Sequence, residues 1–135
     1  MERLRLKHKD AMRALTTLEE IAKEPFSMIV RDATIQRFEY TFEALWKFVK
    51  EYLKEHEGIH VNSPKACFRS LLSTGLLTEE ETNKCLEMTD RRNDTSHTYK
   101  EAVAEIIFGR INDDYVMLIK EVLRKLSLHL HIIEK

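Results

Sequence analysis

Between Pro25 and Gly58 the chain meets neither glycine nor proline, and across that interval Ile35, Phe38, Phe42, Leu45, Val49 and Tyr52 recur in alternating steps of three and four. A stripe with that period lines one face of an α-helix; a strand would alternate every second residue. Trp46 and Leu53 widen the stripe, and its aromatic content marks this segment as the centre of the core. The whole chain of 135 residues holds only 3 Gly and 2 Pro. Hairpins and tight turns have little to be built from, which favours long helices.

The flanking segments read the same way. Leu4, His8, Ala11, Leu15, Leu18 and Ala22 form a heptad-like stripe over about Arg3 to Lys23, facing the core or a dimer seam, and Pro25 ends that helix. The aromatic helix spans about Ser27 to His56, with Arg31 and Asp32 near its start read as a helix-end ion pair. After a loop from Gly58 to Asn62, Ser63 caps a short helix with Pro64 in its first position. Cys67, Phe68, Leu71 and Leu72 supply its buried face and Gly75 ends it.

Thr78 and Glu81 have the spacing of a capping box for a fourth helix, supported by Leu77, Cys85, Leu86 and Met88. Thr98 and Glu101 repeat that spacing, predicting a break near Thr98 and a fifth helix reaching about Leu126 through Ile107, Ile111, Tyr115, Ile119 and Val122. Gly109 within it marks a bend or a close helix contact, and the tail from Leu128 to Ile133 fits either a fraying helix or an added strand. The expected architecture is all-α: one domain over residues 1–135, an up-and-down antiparallel helical bundle of four long helices plus one short helix.

Lys and Arg number 22 against 23 Asp and Glu, a net charge of −1 that argues against general nucleic-acid coating but permits a local basic site. Cys67 and Cys85 fall inside apolar helical patterns and read as buried thiols of a reducing compartment. No apolar run approaches the roughly 18 residues of a membrane span, and the first residues lack a signal-peptide core, so a cytoplasmic protein with no membrane partner is expected. His56-Glu57-Gly58-Ile59-His60 matches the zinc-protease pattern H-E-x-x-H. That chemistry needs both histidines on one helical face, and Gly58 falls where the helix should end. His129 and His131 would chelate a metal only if the tail were extended. No metal and no cofactor are expected.

The chemistry concentrates between Asp90 and Tyr99, ten residues with no aliphatic side chain. On a helix Asn93 and His97 sit at i, i+4, so the amide can orient the imidazole; Arg92, Ser96 and Tyr99 form a neighbouring stripe. A guanidinium grips phosphate oxygens in a fork, and an imidazole exchanges protons near neutral pH. RNA brings its own nucleophile, the 2′-hydroxyl, so such a pair needs no metal. Cleavage wants both a base and an acid, and one chain offers one suitable histidine; two copies about a two-fold axis would offer two. The competing reading is a polar helix end, with Arg91 and Arg92 complementing the dipole, Asp94, Thr95 and Ser96 solvated, and His97 a spectator.

Arg92-Asn93-x-x-x-His97-x-Tyr99 resembles the R-x4-H-x-Y form of the HEPN superfamily signature found in HepT-type toxins. The stretches Arg31–Lys47 and Ser63–Leu77 resemble the nucleotidyltransferase substrate-binding branch of that superfamily, so the likeness covers nearly the whole chain. The resemblance implies a homodimeric helical bundle and an MNT-type nucleotidyltransferase as partner. It implies that Arg92 and His97 are RNase residues acting on RNA, and that Tyr99 accepts AMP from the partner, silencing toxicity. It equally implies a second role, a noncatalytic subunit holding nucleotide for the transferase.

Overall fold

The structure, a computed structural model, describes residues 2–134, with side-chain environments from 2 to 130. Each periodic segment is a helix: α1 (Glu2–Ala22), α2 (Met28–Tyr52), α3 (Pro64–Ser73), α4 (Glu79–Asp94), α5 (Glu101–Arg110) and α6 (Val116–Glu134). A π turn over Ile111–Tyr115 joins α5 to α6, making them one long rod. The architecture is therefore the expected bundle of four long helices and a short one. Among the described residues there is no strand, and no helix is long and apolar enough to cross a membrane.

The aromatic stripe of α2 is the axis of the core. Phe38, Phe42, Leu45, Phe48, Val49 and Tyr52 are all at most 1% exposed. Leu4, Leu15 and Leu18 of α1 close one side; Phe68 of α3, Met88 of α4 and Ile119 of α6 close the others. Phe38 stacks on Tyr115, and Phe42 meets Phe68. Truncating such a phenylalanine to alanine costs about 3–5 kcal/mol. His8, on the α1 stripe, is half-buried: its Nε2 hydrogen-bonds Ser127 at 2.8 Å while its ring meets the edge of Phe48.

The helix starts obey local chemistry. Ser27 and Ser63 accept the backbone N–H of Val30 and Ala66. Thr78 accepts from the Glu81 N–H at 3.1 Å while the Thr78 N–H donates to the Glu81 carboxylate at 2.9 Å, a complete capping box. Gly75 carries the positive φ, 82°, that closes α3.

Two expectations are amended, the alternatives for the tail are decided, and the expected helix end at Gly58 is met. The second capping box does not form: Lys100 occupies the cap position of α5 without a side-chain bond, and the Thr98 hydroxyl donates to the Thr95 carbonyl instead. Gly109 makes no close helix contact, since an added Cβ would meet nothing within 4 Å; the irregularity is the π turn that follows. The tail continues α6 rather than adding a strand, and the His131 side chain lies outside the described residues. Helix α2 unwinds through a second π turn, Leu53–Glu57, to Gly58 at φ 65°. His56 and His60 consequently share no helical face; His56 stacks on Tyr52, with ring centroids 4.6 Å apart. Cys67 and Cys85 are buried free thiols, and burial pushes them up to about 11 and about 12.

Candidate functional site

The polar decade lies where α4 gives way to α5. Helix α4 runs through Asp94 and tightens into a 3₁₀ turn, Thr95–His97, before α5 starts at Glu101. In a 3₁₀ turn residues three apart eclipse one another. That tightening decides which side chains share a face.

Arg91 and Asp94 at the end of α4 and His97 in the turn follow one another three apart and, with Lys100, supply the polar side of a cleft of about 240 Å³. Val103, Ile106 and Ile107 of α5 form its apolar wall. Arg91 Nε lies 3.1 Å from Asp94 Oδ2, in an ion pair too poorly aligned to count as a hydrogen bond, leaving that N–H unsatisfied. Tyr99 does not line the cleft; it is 76% exposed, with its ring centroid 6.0 Å from that of the cleft residue His97 in an edge-on arrangement. Lys100 Nζ is 6.0 Å from the Tyr99 ring centroid.

Arg92 points elsewhere. Its Nη1 donates to Thr95 Oγ1 at 3.4 Å and its Nη2 to Glu43 Oε1 of α2 at 3.5 Å, both long, while its buried Nε has no partner. Glu43 also accepts from Trp46 Nε1 at 3.1 Å. Asn93 is exposed, and no hydrogen bond joins it to His97 among the described residues; the 3₁₀ turn breaks the i, i+4 register that would align them. Within one chain, then, the structure brings His97 and Tyr99 together and sets Arg92 and Asn93 apart from the cleft.

A buried cation anchors the junction. Arg31, 3% exposed near the start of α2, donates from Nη1 to Glu101 Oε2 at 2.6 Å and from Nη2 to Glu101 Oε1 at 3.2 Å. It also reaches Glu105 at 3.2 Å and Asp32 at 3.1 Å. The forked pair holds the Glu101 carboxyl below the usual carboxylate range and raises the guanidinium further above its own. This explains the missing capping box, because Glu101 is already engaged. Arg31 and Asp32 do form the expected ion pair, but the partner that matters lies on α5.

One turn before Arg91, Glu87 of α4 accepts from Arg110 and from the buried Tyr115 hydroxyl, the latter at 2.8 Å, so the π turn clamps α5–α6 to α4. Burial pushes the Tyr115 phenol up to about 12. The sequence reading passed over Arg91 and Lys100 as site residues, and Glu43 as the group that turns Arg92. The repeat of three in Arg91, Asp94 and His97 was a usable signal for the first; nothing local marks Glu43.

A family model described as nucleotidyltransferase substrate binding protein like matches residues 6–128. A Thermus thermophilus protein of known structure is 49% identical, covers 86% of this chain and 98% of its own, and superposes with a TM-score of 0.81. A tri-AMPylated Shewanella oneidensis HEPN toxin, solved in complex with MNT antitoxin, shares the fold at 14% identity, with coverage of 93% and 96% and a TM-score of 0.75. So does a Haemophilus influenzae protein described as having the fold of a nucleotidyltransferase's substrate binding domain, at 21% identity, coverage of 93% and 98% and a TM-score of 0.63. No curated protein matches the sequence.

Proposed function

Since the chain belongs to the nucleotidyltransferase substrate binding protein like family, we propose that it is the HEPN half of a toxin–antitoxin pair, a metal-independent RNase silenced when an MNT-type nucleotidyltransferase transfers AMP to Tyr99. The whole chain, 1–135, acts as one HEPN-like domain, in the cytoplasm. The observation that carries this reading is Tyr99 itself, 76% exposed with its ring centroid 6.0 Å from that of His97, which lines a cleft with Arg91, Asp94 and Lys100. A partner enzyme can reach that phenol, and whatever is attached there lies beside the imidazole.

In cleavage, the RNA 2′-hydroxyl attacks the adjacent phosphorus and the bond to the 5′-oxygen breaks, leaving a cyclic phosphate. His97 takes the 2′-hydroxyl proton and the His97 of a second copy protonates the leaving oxygen. Arg92 grips the non-bridging oxygens as charge builds on them, and Asn93 supports His97. The homodimer is part of the proposal: Arg92 is set apart from its own His97, and its long bonds to Glu43 and Thr95 leave it free to turn towards a phosphate held between copies. In silencing, the Tyr99 oxygen forms a bond to the α-phosphorus of ATP, pyrophosphate departs with the bonding electrons, and the phenol proton goes to solvent. An anionic phosphate then sits beside the RNase residues and blocks them.

The noncatalytic reading keeps the same partner. In it the chain holds a nucleotide for the transferase, and the separation of Arg92 from His97 favours it. Expression without the partner separates the two. On the toxin reading the wild-type chain arrests growth and cleaves RNA, and His97→Ala does neither. Equal growth of both strains with intact RNA would leave only the substrate-binding role.

A further inference from the structure

Beyond the acceptor itself, the cleft beside it has the makings of a seat for a nucleotide. We infer that the α4–α5 cleft receives the AMP carried on Tyr99, with the adenine against Val103, Ile106 and Ile107 and the phosphate held by Arg91 and Lys100. The inference rests on Tyr99 being the acceptor and gives Arg91, not Arg92, the role of holding the attached nucleotide.

Three features point to it. The first is size. The cleft, about 240 Å³ and open to solvent, admits a single base against its wall while the rest of the nucleotide stays at the opening. The second is polarity: one wall is aliphatic, offering the flat contact a purine face takes, and the polar side carries the cationic Arg91 and Lys100 with His97 and one carboxylate, Asp94, which is paired to Arg91. Ile106 is 58% exposed, an apolar side chain that a seated base would cover. The third is an unfilled donor. Arg91 meets Asp94 only through its buried Nε, without a well-aligned hydrogen bond, and among the described residues its terminal nitrogens make no hydrogen bond, so they gain a partner when a phosphate oxygen enters. Lys100 has no ion pair among the described residues and supplies the remaining charge. Tyr99 lies between the cleft residues His97 and Lys100 in sequence, and its ring centroid is 6.0 Å from that of His97, so a nucleotide tethered to it starts beside the cleft.

Retention of the nucleotide in this way would turn AMP attachment from a bulky tag into a plug. His97 lines the same cleft, so a seated AMP covers the imidazole directly.

The test is methyl NMR on the full chain, labelled at isoleucine and valine, titrated separately with AMP, adenosine and inorganic phosphate. AMP and adenosine are expected to shift the Val103, Ile106 and Ile107 methyls, and phosphate alone to leave them in place. Arg91→Gln and Ile106→Glu each weaken AMP binding by about tenfold, while Arg69→Gln, on the exposed face of α3, does not. Both cleft positions are partly or wholly exposed, and melting curves check that the variants fold. In the chain modified on Tyr99 the same methyls are already shifted and free AMP adds nothing. Methyls silent to AMP, or moved equally by phosphate alone, overturn the inference. Undiminished binding of free AMP to the modified chain overturns the assignment to the tethered nucleotide and points to a nucleotide of RNA instead. Failure of the functional reading looks different: Tyr99 then gains no AMP at all, whatever the methyls do.

Discussion

The chain carries the spacing T-x-x-E twice, and the two copies meet opposite fates. At Thr78–Glu81 both reciprocal hydrogen bonds form and α4 starts cleanly after the left-handed Gly75. At Thr98–Glu101 neither forms, because Arg31 has drawn the Glu101 carboxylate across to α2. The first junction is closed by its own side chains and has nothing left over. The second is held from outside by a buried cation. That leaves the Thr98–Lys100 segment with exposed polar groups and Tyr99 turned outward. A local motif is thus a competition: a capping box is worth about 1 kcal/mol, and a charge-assisted fork to a buried guanidinium outweighs it.

The contrast can be broken by substitution. The largest expected effect is on activity at the open junction. His97→Ala lowers RNA cleavage by about 10²–10⁴-fold and leaves the melting temperature close to that of the wild type, because the ring is exposed and its contact is with the likewise exposed Tyr99. Next comes the outside anchor. Arg31→Gln releases Glu101, Glu105 and Asp32 together, so amide exchange at 101–105 speeds up and the melting temperature falls, while exchange at 79–82 is unchanged. At the closed junction Thr78→Ala costs about 1 kcal/mol in denaturant unfolding and does not alter RNA cleavage.

Lowering the pH gives a smaller, graded version of the Arg31 effect. The Glu101 carboxyl is held below its ordinary 4.5 when folded, so its contribution is fully present above that value and is lost as pH falls through the depressed one. Solvent at the exposed carboxylate screens the pair, so a modest acid-induced loosening of residues 101–105 is expected below about pH 4.5. The smallest effect is Thr98→Ala, under about 0.5 kcal/mol, because its hydroxyl makes only a bond to the Thr95 carbonyl. A loss matching that of Thr78→Ala would mean that the second capping box forms in solution.

Most helix boundaries were legible because their signals are local. Ser27, Ser63-Pro64, Gly75 and the Thr78–Glu81 pair each act within one turn of chain, and the α2 stripe needs only its own period. What escaped depends on distant partners or on small changes of helical pitch. Arg31 and Glu101 are 70 residues apart, so no window of sequence links them. The 3₁₀ turn at Thr95–His97 moves His97 from the Asn93 face to the Arg91–Asp94 face, a rotation that an assumed regular helix conceals. The two π turns likewise left no mark in the periodic pattern. Helical spacing put Tyr99 on a stripe with Arg92 and Ser96, so neither its approach to His97 nor the departure of Arg92 towards Glu43 was legible from spacing.

The central claim is that Tyr99 is an acceptor poised for a partner enzyme, and intact mass spectrometry tests it most directly. The chain is incubated with an MNT-type nucleotidyltransferase and ATP, beside a Tyr99→Phe control. The account predicts a gain of whole AMP units in the wild-type chain, mapped to Tyr99, and none in the variant. An unchanged wild-type mass, or the same gain in Tyr99→Phe, would contradict it.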